Sequence, residues 1–260
     1  MPLAIASVFA AGLSVASAAV DGKIMPGMID NFDNGSTMGW TNGARVKTPH
    51  PPHVENGKLV VESFGERFDD EGRPINDNKR MAFFNESFSF DRGKNTFDSP
   101  WEGDYSGIKA IKADFSATST TTDNLYLRLS FTDGDNFFSS KNPFILPTDG
   151  VERTATFLLD SSSFSVSKDY NKGNTFADAD QAVFDAGIKN FFGVKIISNE
   201  EYPIYGGSDV VAAKLTMDNF MATDQVGVVS NVPLPGAVWL MISGLLGLSG
   251  VSASKRKNAV

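Results

Sequence analysis

The chain has 260 residues, a net charge of -8 and no cysteine. The lack of cysteine excludes disulfides, cysteine zinc sites and cysteine nucleophiles, and the negative charge disfavours nucleic acid as a partner. Phenylalanine is abundant, at 21 residues, and polar turn-forming residues separate the apolar runs, which favours strands over helices.

The chain opens with an uncharged, largely apolar segment over residues 3–20. Ala16 and Ala18 form the small-residue pattern that signal peptidase accepts, which predicts a signal peptide over residues 1–19 and export of the protein. No lysine or arginine precedes the apolar stretch. The alternative interpretation is therefore a buried N-terminal helix.

Residues 20–222 carry the periodicity of strands. In Leu125–Phe131, apolar residues alternate with Tyr126, Arg128 and Ser130, as in a strand with one buried face. Asp133-Gly134 predicts a hairpin turn, followed by a return strand from Phe137. The other predicted strands are Lys58–Phe64, Ile108–Phe115, Glu152–Leu159, Phe192–Ile197 and Lys214–Met221.

One short helix is predicted between the strands Glu152–Leu159 and Phe192–Ile197. Asp178 and Gln181 have the spacing of a capping box, and Gly187 is suited to end the helix. The residues with helical spacing are Ala179, Ala182, Val183 and Ala186. Many short strands with a single short helix predict an all-β fold of the β-sandwich type.

The C-terminal region has the features of a membrane segment. Residues 223–231 are predicted to form a linker, and residues 234–253 are uncharged. At about 1.5 Å per residue that segment spans a hydrocarbon core of about 30 Å as a transmembrane helix. Lys255, Arg256 and Lys257 follow. Because basic residues stay on the cytoplasmic side, the body is predicted to lie outside the membrane.

The order of these C-terminal features resembles a known sorting signal. Val232, Pro233, Leu234 and Pro235, then the apolar segment and the basic cluster of residues 255–257, resemble the PEP-CTERM signal in residues 232–260. The resemblance implies processing by an exosortase, a membrane-bound transpeptidase of Gram-negative bacteria that make exopolysaccharide. The protein would be held in the membrane through its C-terminus and then reach the cell surface or extracellular matrix. The alternative is a plain single-span anchor.

Three segments of the body resemble the jelly-roll domains of carbohydrate-binding modules and laminin-B-like domains. They are Ile29–Gly35 followed by Gly39-Trp40, then Ser99–Gly107, and Met217–Phe220. The resemblance implies a jelly-roll sandwich with a structural calcium ion held by Asp33 and Asp218, since calcium prefers oxygen ligands. Turn capping by Asp33 and a plain surface position for Asp218 are the alternative.

A glycan surface is predicted from the alternation of the clearest strand. If its leucines face the core, Tyr126 and Arg128 lie on the opposite face, where an aromatic ring and a forked donor suit a sugar. Trp40, Trp101 and Tyr105 are predicted as further stacking platforms. The alternative is that these aromatic residues pack at sheet edges and in loops.

No catalytic residues are predicted. His50 and His53 flank a proline pair that forbids a helix, and no nucleophile-elbow, phosphate-loop or dinucleotide glycine pattern occurs. The first hypothesis is therefore a non-catalytic exported envelope or matrix protein with a glycan-binding domain. One alternative is a surface-anchored polysaccharide hydrolase or lyase, which requires two carboxylates about 5–10 Å apart. Another is a purely structural matrix protein.

Overall fold

A computed structural model describes residues 22–42, 51–65, 71, 81–89, 96–97, 99–168, 175–201 and 210–226. The chain divides into the units Met1–Val226 and Gly227–Val260. The predicted signal peptide and sorting signal, with the motif at residues 232–235 and the basic residues 255–257, lie outside the described residues. Within the described ranges, no helix has the length and apolar character needed to cross a bilayer.

The described elements are mostly short antiparallel strands. The first seven are β1 (Ile29–Asp30), β2 (His53–Glu55), β3 (Lys58–Phe64), β4 (Ala82–Glu86), β5 (Phe88–Ser89), β6 (Thr96–Phe97) and β7 (Ala110–Ser119). The next six are β8 (Asn124–Thr132), β9 (Phe137–Ser140), β10 (Phe144–Pro147), β11 (Arg153–Leu158), β12 (Phe164–Ser167) and β13 (Ala177–Asp178). A 3-10 turn covers Ser161–Ser163, and α1 (Gln181–Gly187), β14 (Gly193–Ser198) and β15 (Ala212–Thr223) complete the set.

The strands form two main sheets. Sheet A has the order β11-β7-β15-β3-β2, with β1 also paired to β15. Sheet B has the order β13-β12-β9-β8-β14-β4, with β10 also paired to β8. Both contribute to one core, for example through Leu127 of sheet B and Leu215 of sheet A. The predicted all-β sandwich with a short helix is thus confirmed for the described residues.

Strand β15 shows how the sequence adapts to the core. Met217 and Phe220 are both fully buried, although residues three apart in a regular strand point to opposite faces. The pairing with β7 shifts between Asp218 and Met221, and Asn219 between them has a φ of 49°. This bulge returns Phe220 to the core side, because the extra residue reverses the alternation.

The helix begins at a different residue from the predicted one. Asp180 is the N-cap, and its carboxylate accepts hydrogen bonds from the backbone N–H groups of Ala182 and Val183. The prediction that Asp178 caps the helix is wrong, because Asp178 lies in β13 opposite Ser165. Gly187 is the last residue of the helix, where a Cβ would come within 2.6 Å of the Phe138 ring.

Candidate functional site

The outer face of sheet B is the side of this sheet that points away from the shared core. Along β8, Leu125, Leu127, Leu129 and Phe131 belong to the core, so Tyr126, Arg128 and Ser130 point the other way, as the alternation predicts. By the same alternation, this face also includes Ala82, Phe84, Glu86, Thr132, Phe137, Ser139, Ile145, Ser165, Ser167, Asp178, Lys195 and Ile197.

A polar row crosses this face from strand to strand. Cross-strand neighbours along the row are Phe84, Lys195, Ser130, Ser139, Ser165 and Asp178. The hydroxyl oxygens of Ser130 and Ser139 are 3.1 Å apart and hydrogen-bonded. One row further on, the buried Ser167 hydroxyl has no hydrogen-bond partner among the described residues. Buried polar groups are costly without partners, so the Ser167 hydroxyl carries a free-energy cost at this position.

Lys195 lies on the strand next to the β4 edge of this face and is held there by charge and ring contacts. Its ammonium nitrogen lies 2.7 Å from the Glu86 carboxylate, and the Lys195 side chain is only 2% exposed. The same nitrogen lies 5.5 Å from the ring centre of Phe84 and 5.2 Å from that of Phe137. These rings belong to a small apolar cluster with Ala82 and Ile197. The buried charge is therefore paired, as a buried ammonium requires.

Arg128 is engaged by the backbone rather than presented to solvent. Its Nε donates to the carbonyl of Asn199 at 3.0 Å, and one terminal nitrogen donates to the carbonyl of Glu200 at 2.6 Å. The other terminal nitrogen donates at 2.7 Å to the carbonyls of both Ser140 and Lys141. A guanidinium has five N–H donors, so these contacts use most of them. Direct sugar binding by Arg128, as predicted, is not the role that this geometry supports.

The accessible end of the outer face of sheet B lies around Tyr126. Tyr126 is partly exposed and directly opposite Ile145 in the β8–β10 pairing. The Ile145 side chain is 55% exposed. The sequence did not indicate Ile145, because β10 follows a proline and is apolar throughout, which hides its alternation. The structure thus places a partly exposed ring beside an exposed aliphatic side chain.

The three other predicted stacking residues lie in the core. Trp40 is 2% exposed, and Trp101 and Tyr105 are fully buried. Each indole ring contacts the Phe220 ring edge to face, at centroid distances of 4.9 Å for Trp40 and 4.7 Å for Trp101. This placement corrects the prediction that these rings are sugar platforms, because a buried ring offers no face to a ligand.

A buried carboxylate explains why both tryptophans turn inward. One oxygen of Asp30 accepts the indole N–H of Trp40 at 2.7 Å and that of Trp101 at 2.8 Å. The hydroxyl of Tyr105 donates to the Trp101 carbonyl at 2.6 Å. Burial raises the pKa of Asp30, although the two indole N–H groups act in the opposite direction. Burial, helped by the Asp30 charge, raises the pKa of Tyr105 well above its usual range.

The two predicted calcium ligands lie near each other on the side of sheet A. Asp33 is exposed and accepts from the Asn31 amide at 2.8 Å, and Asp218 accepts from the backbone N–H of Asn219 at 2.7 Å. Burial raises the pKa of Asp218, and the negative charges of Glu152 and Asp33 add to this effect. A bound cation would relieve such repulsion.

Further ligands would be needed to complete a calcium site at these carboxylates. Within the described ranges, no cluster of three or more acidic or histidine side chains could hold a metal ion. Calcium takes 6–8 oxygen ligands, and backbone carbonyls and water serve as well as carboxylates. Calcium binding therefore stays a prediction.

The outer face of sheet B also bears on the hydrolase alternative. Its described strand carboxylates are Glu86 on β4 and Asp178 on β13, which are the two edge strands of the sheet. Five strand spacings of about 4.8 Å separate these edges by about 24 Å. Glycoside hydrolysis needs carboxylates within about 10 Å. This pair therefore does not satisfy the requirement.

Comparisons with known proteins give only a distant likeness. No protein-family model matches the chain, and no curated protein matches its sequence. The N-terminal cellulose-binding domain of Cellulomonas fimi β-1,4-glucanase C is 14% identical, with 79% of this chain and 99% of that chain covered and a TM-score of 0.36. Alginate lyase Aly36B is 10% identical, with 78% and 98% covered and a TM-score of 0.36. Scores this low assign neither topology nor function to the chain.

Proposed function

We propose that this chain is a non-catalytic exported protein whose jelly-roll domain binds polysaccharide at the accessible end of the outer face of sheet B. The observation that carries the proposal is the cross-strand pair of Tyr126 and the 55% exposed Ile145. An aromatic ring beside an aliphatic side chain gives a flat apolar surface with a polar hydroxyl, which suits the face of a sugar ring.

The net negative charge of the protein favours contacts to sugar rings and hydroxyls over charge-driven binding of a polyanion. The protein is acidic overall, at -8, so long-range attraction would not drive its association with a polyanion. Contacts to the ring faces and hydroxyls of a sugar do not depend on net charge. We therefore expect binding to depend weakly on salt concentration, in contrast to a charge-driven interaction.

Pull-down on exopolysaccharide from the source bacterium tests the proposal. We expect the unmodified full-length chain to be retained, with Tyr126→Ala and Ile145→Ala each weakening retention. Val151→Ala is a matched control, because Val151 is also 55% exposed but precedes β11 of sheet A. No retention of the unmodified chain, with and without calcium, would remove the glycan proposal. Equal weakening by all three variants would remove the assignment to this surface.

The two ends of the chain support export and sorting. The apolar segment over residues 3–20 and the three-part C-terminal order of residues 232–257 point to signal peptidase and an exosortase-type enzyme as partners. We propose that the protein is anchored in the membrane through its C-terminus and then released to the cell surface or matrix of a Gram-negative bacterium. Intact mass of the protein recovered from cells tests this scheme, since both ends should be missing.

Two other functions remain as outcomes of these experiments. A hydrolase or lyase would shorten the polysaccharide, which size-exclusion chromatography of the glycan after incubation would detect. A purely structural matrix protein would show neither retention nor cleavage. We favour binding because the partly exposed Tyr126 lies opposite the exposed Ile145, whereas the described strand carboxylates of this face lie at its two opposite edges.

A further inference from the structure

Two loops leave sheet B on either side of Tyr126. On one side, the chain leaves β9 after Ser140 and returns as β10 at Phe144. On the other side, β14 ends at Ser198, and the next residue, Asn199, donates its backbone N–H to the Tyr126 carbonyl at 2.8 Å. Residues 141–143 and 199–201 therefore border the accessible end of the outer face of sheet B, and we call them the two rim loops.

Arg128 joins the two rim loops through a single side chain. It lies two residues after Tyr126 on β8, opposite Ile197 of β14. Its guanidinium donates to the carbonyls of Ser140 and Lys141 on one side and to those of Asn199 and Glu200 on the other, at 2.6–3.0 Å. With the side chain only 4% exposed, these bonds are shielded from competing water.

We infer that Arg128 is a positioning residue for the polysaccharide site, because it fixes the two rim loops around the Tyr126–Ile145 surface before a ligand arrives. This inference rests on the proposed function. A ligand that meets ordered loops does not have to order them, so preorganisation strengthens binding without any direct contact from Arg128. The planar, fork-shaped guanidinium suits this task, since it bonds several carbonyls from one rigid group.

The test compares Arg128→Met with Arg128→Lys in the full-length chain. Methionine keeps much of the aliphatic stem and loses every N–H donor, whereas lysine keeps the charge and has three donors without the fork. Arg153→Met is the matched control, because the Arg153 guanidinium also bonds a backbone carbonyl, that of Val151, but lies in sheet A. Amide hydrogen exchange of the rim loops and binding to exopolysaccharide are measured for each variant.

We expect Arg128→Met to speed exchange in both rim loops and to weaken binding about tenfold, which corresponds to about 1.4 kcal/mol. Arg128→Lys should show an intermediate effect in both measurements, and Arg153→Met should change neither. If Arg128→Met does not fold, the same comparison is made with Arg128→Lys, which should then weaken binding while the exchange of β7 and β15 in the core stays unchanged.

The two levels of the proposal fail in different ways. Unchanged amide exchange in either rim loop of a folded Arg128 variant would overturn the inference that Arg128 fixes these loops. Faster exchange with unchanged affinity would overturn its positioning role and leave the polysaccharide site intact. Absence of binding by the unmodified chain would overturn the proposed function, and the positioning role of Arg128 with it. The exchange data would still decide whether Arg128 fixes the two rim loops.

Discussion

Replacement of Asp30 by alanine should destabilise the fold through the two tryptophans that it holds. One Asp30 oxygen accepts both indole N–H groups, at 2.7 Å from Trp40 and 2.8 Å from Trp101, and both indoles are buried. A buried donor left without a partner costs about 1–3 kcal/mol. Two such donors give about 2–6 kcal/mol, which is a large share of the 5–15 kcal/mol typical of a domain.

Urea unfolding followed by circular dichroism measures this cost. Asp30→Asn keeps one oxygen as an acceptor and should lose less stability than Asp30→Ala. Asp135→Ala is the control, because Asp135 is exposed in the hairpin turn, and such a change should stay within about 0.5 kcal/mol. In a Trp101→Phe background, Asp30→Ala should cost less, because one of the orphaned donors is already gone. The same cost in both backgrounds would refute the reasoning.

The pH dependence of the same pair of variants gives a second measurement. Burial raises the pKa of Asp30 above its ordinary value of 3.8, so the folded chain binds this proton more tightly than the unfolded chain does. The stabilisation from Asp30 is therefore fully present below about pH 4 and is lost as pH rises through the folded-state pKa. Unmodified protein should thus gain stability relative to Asp30→Asn on acidification from neutral pH, and a constant difference would contradict this.

Three further predictions concern the backbone, the helix and the cation. Gly193→Ala should destabilise the fold by more than about 2 kcal/mol in urea unfolding, because the new Cβ would clash with the Asn85 carbonyl oxygen. Gly35→Ala is the control for backbone strain alone, because a Cβ at Gly35 would meet open space. Asp180→Ala should cost about 1 kcal/mol through the lost N-cap, and urea unfolding that shows no loss would contradict the cap. Calcium at 100 times its dissociation constant should raise the free energy of unfolding by about 2.7 kcal/mol, measured by calorimetry. Changing both Asp33 and Asp218 to asparagine should abolish this increase.

The strands that the sequence predicted well are those with one buried face. Lys58–Phe64 has the same bounds in the structure as in the prediction. The predicted strand Leu125–Phe131 is one residue longer at each end in the structure. In these segments the alternation of apolar and polar residues is itself the physical cause of the strand, because one face packs on the core. Local sequence therefore contains the information that decides the structure.

The aromatic residues could not be assigned in this way. Trp40 and Trp101 have an apolar ring and one N–H donor each, which suits a sugar surface and a core equally well. Their placement depends on Asp30, which is 10 residues from Trp40 and 71 from Trp101. Arg128 is a similar case, because its carbonyl partners lie 12–13 and 71–72 residues away. Such contacts follow from the topology of the sheet rather than from local pattern.

The two sheets differ in how their outer faces treat charge, and this difference bears on function. Sheet A carries partly exposed ion pairs such as Lys214 with Glu55, at 2.5 Å, which contribute little to stability and are ordinary for a solvent face. Sheet B buries Arg128 and Lys195, and apolar replacement of a whole buried ion pair, such as Lys195 with Glu86, is often neutral or stabilising. Stability alone therefore does not account for the polar outer face of sheet B. Buried polar groups on the same face as the partly exposed Tyr126 and the exposed Ile145 fit the proposed ligand site, because preorganised groups lower the entropy cost of binding.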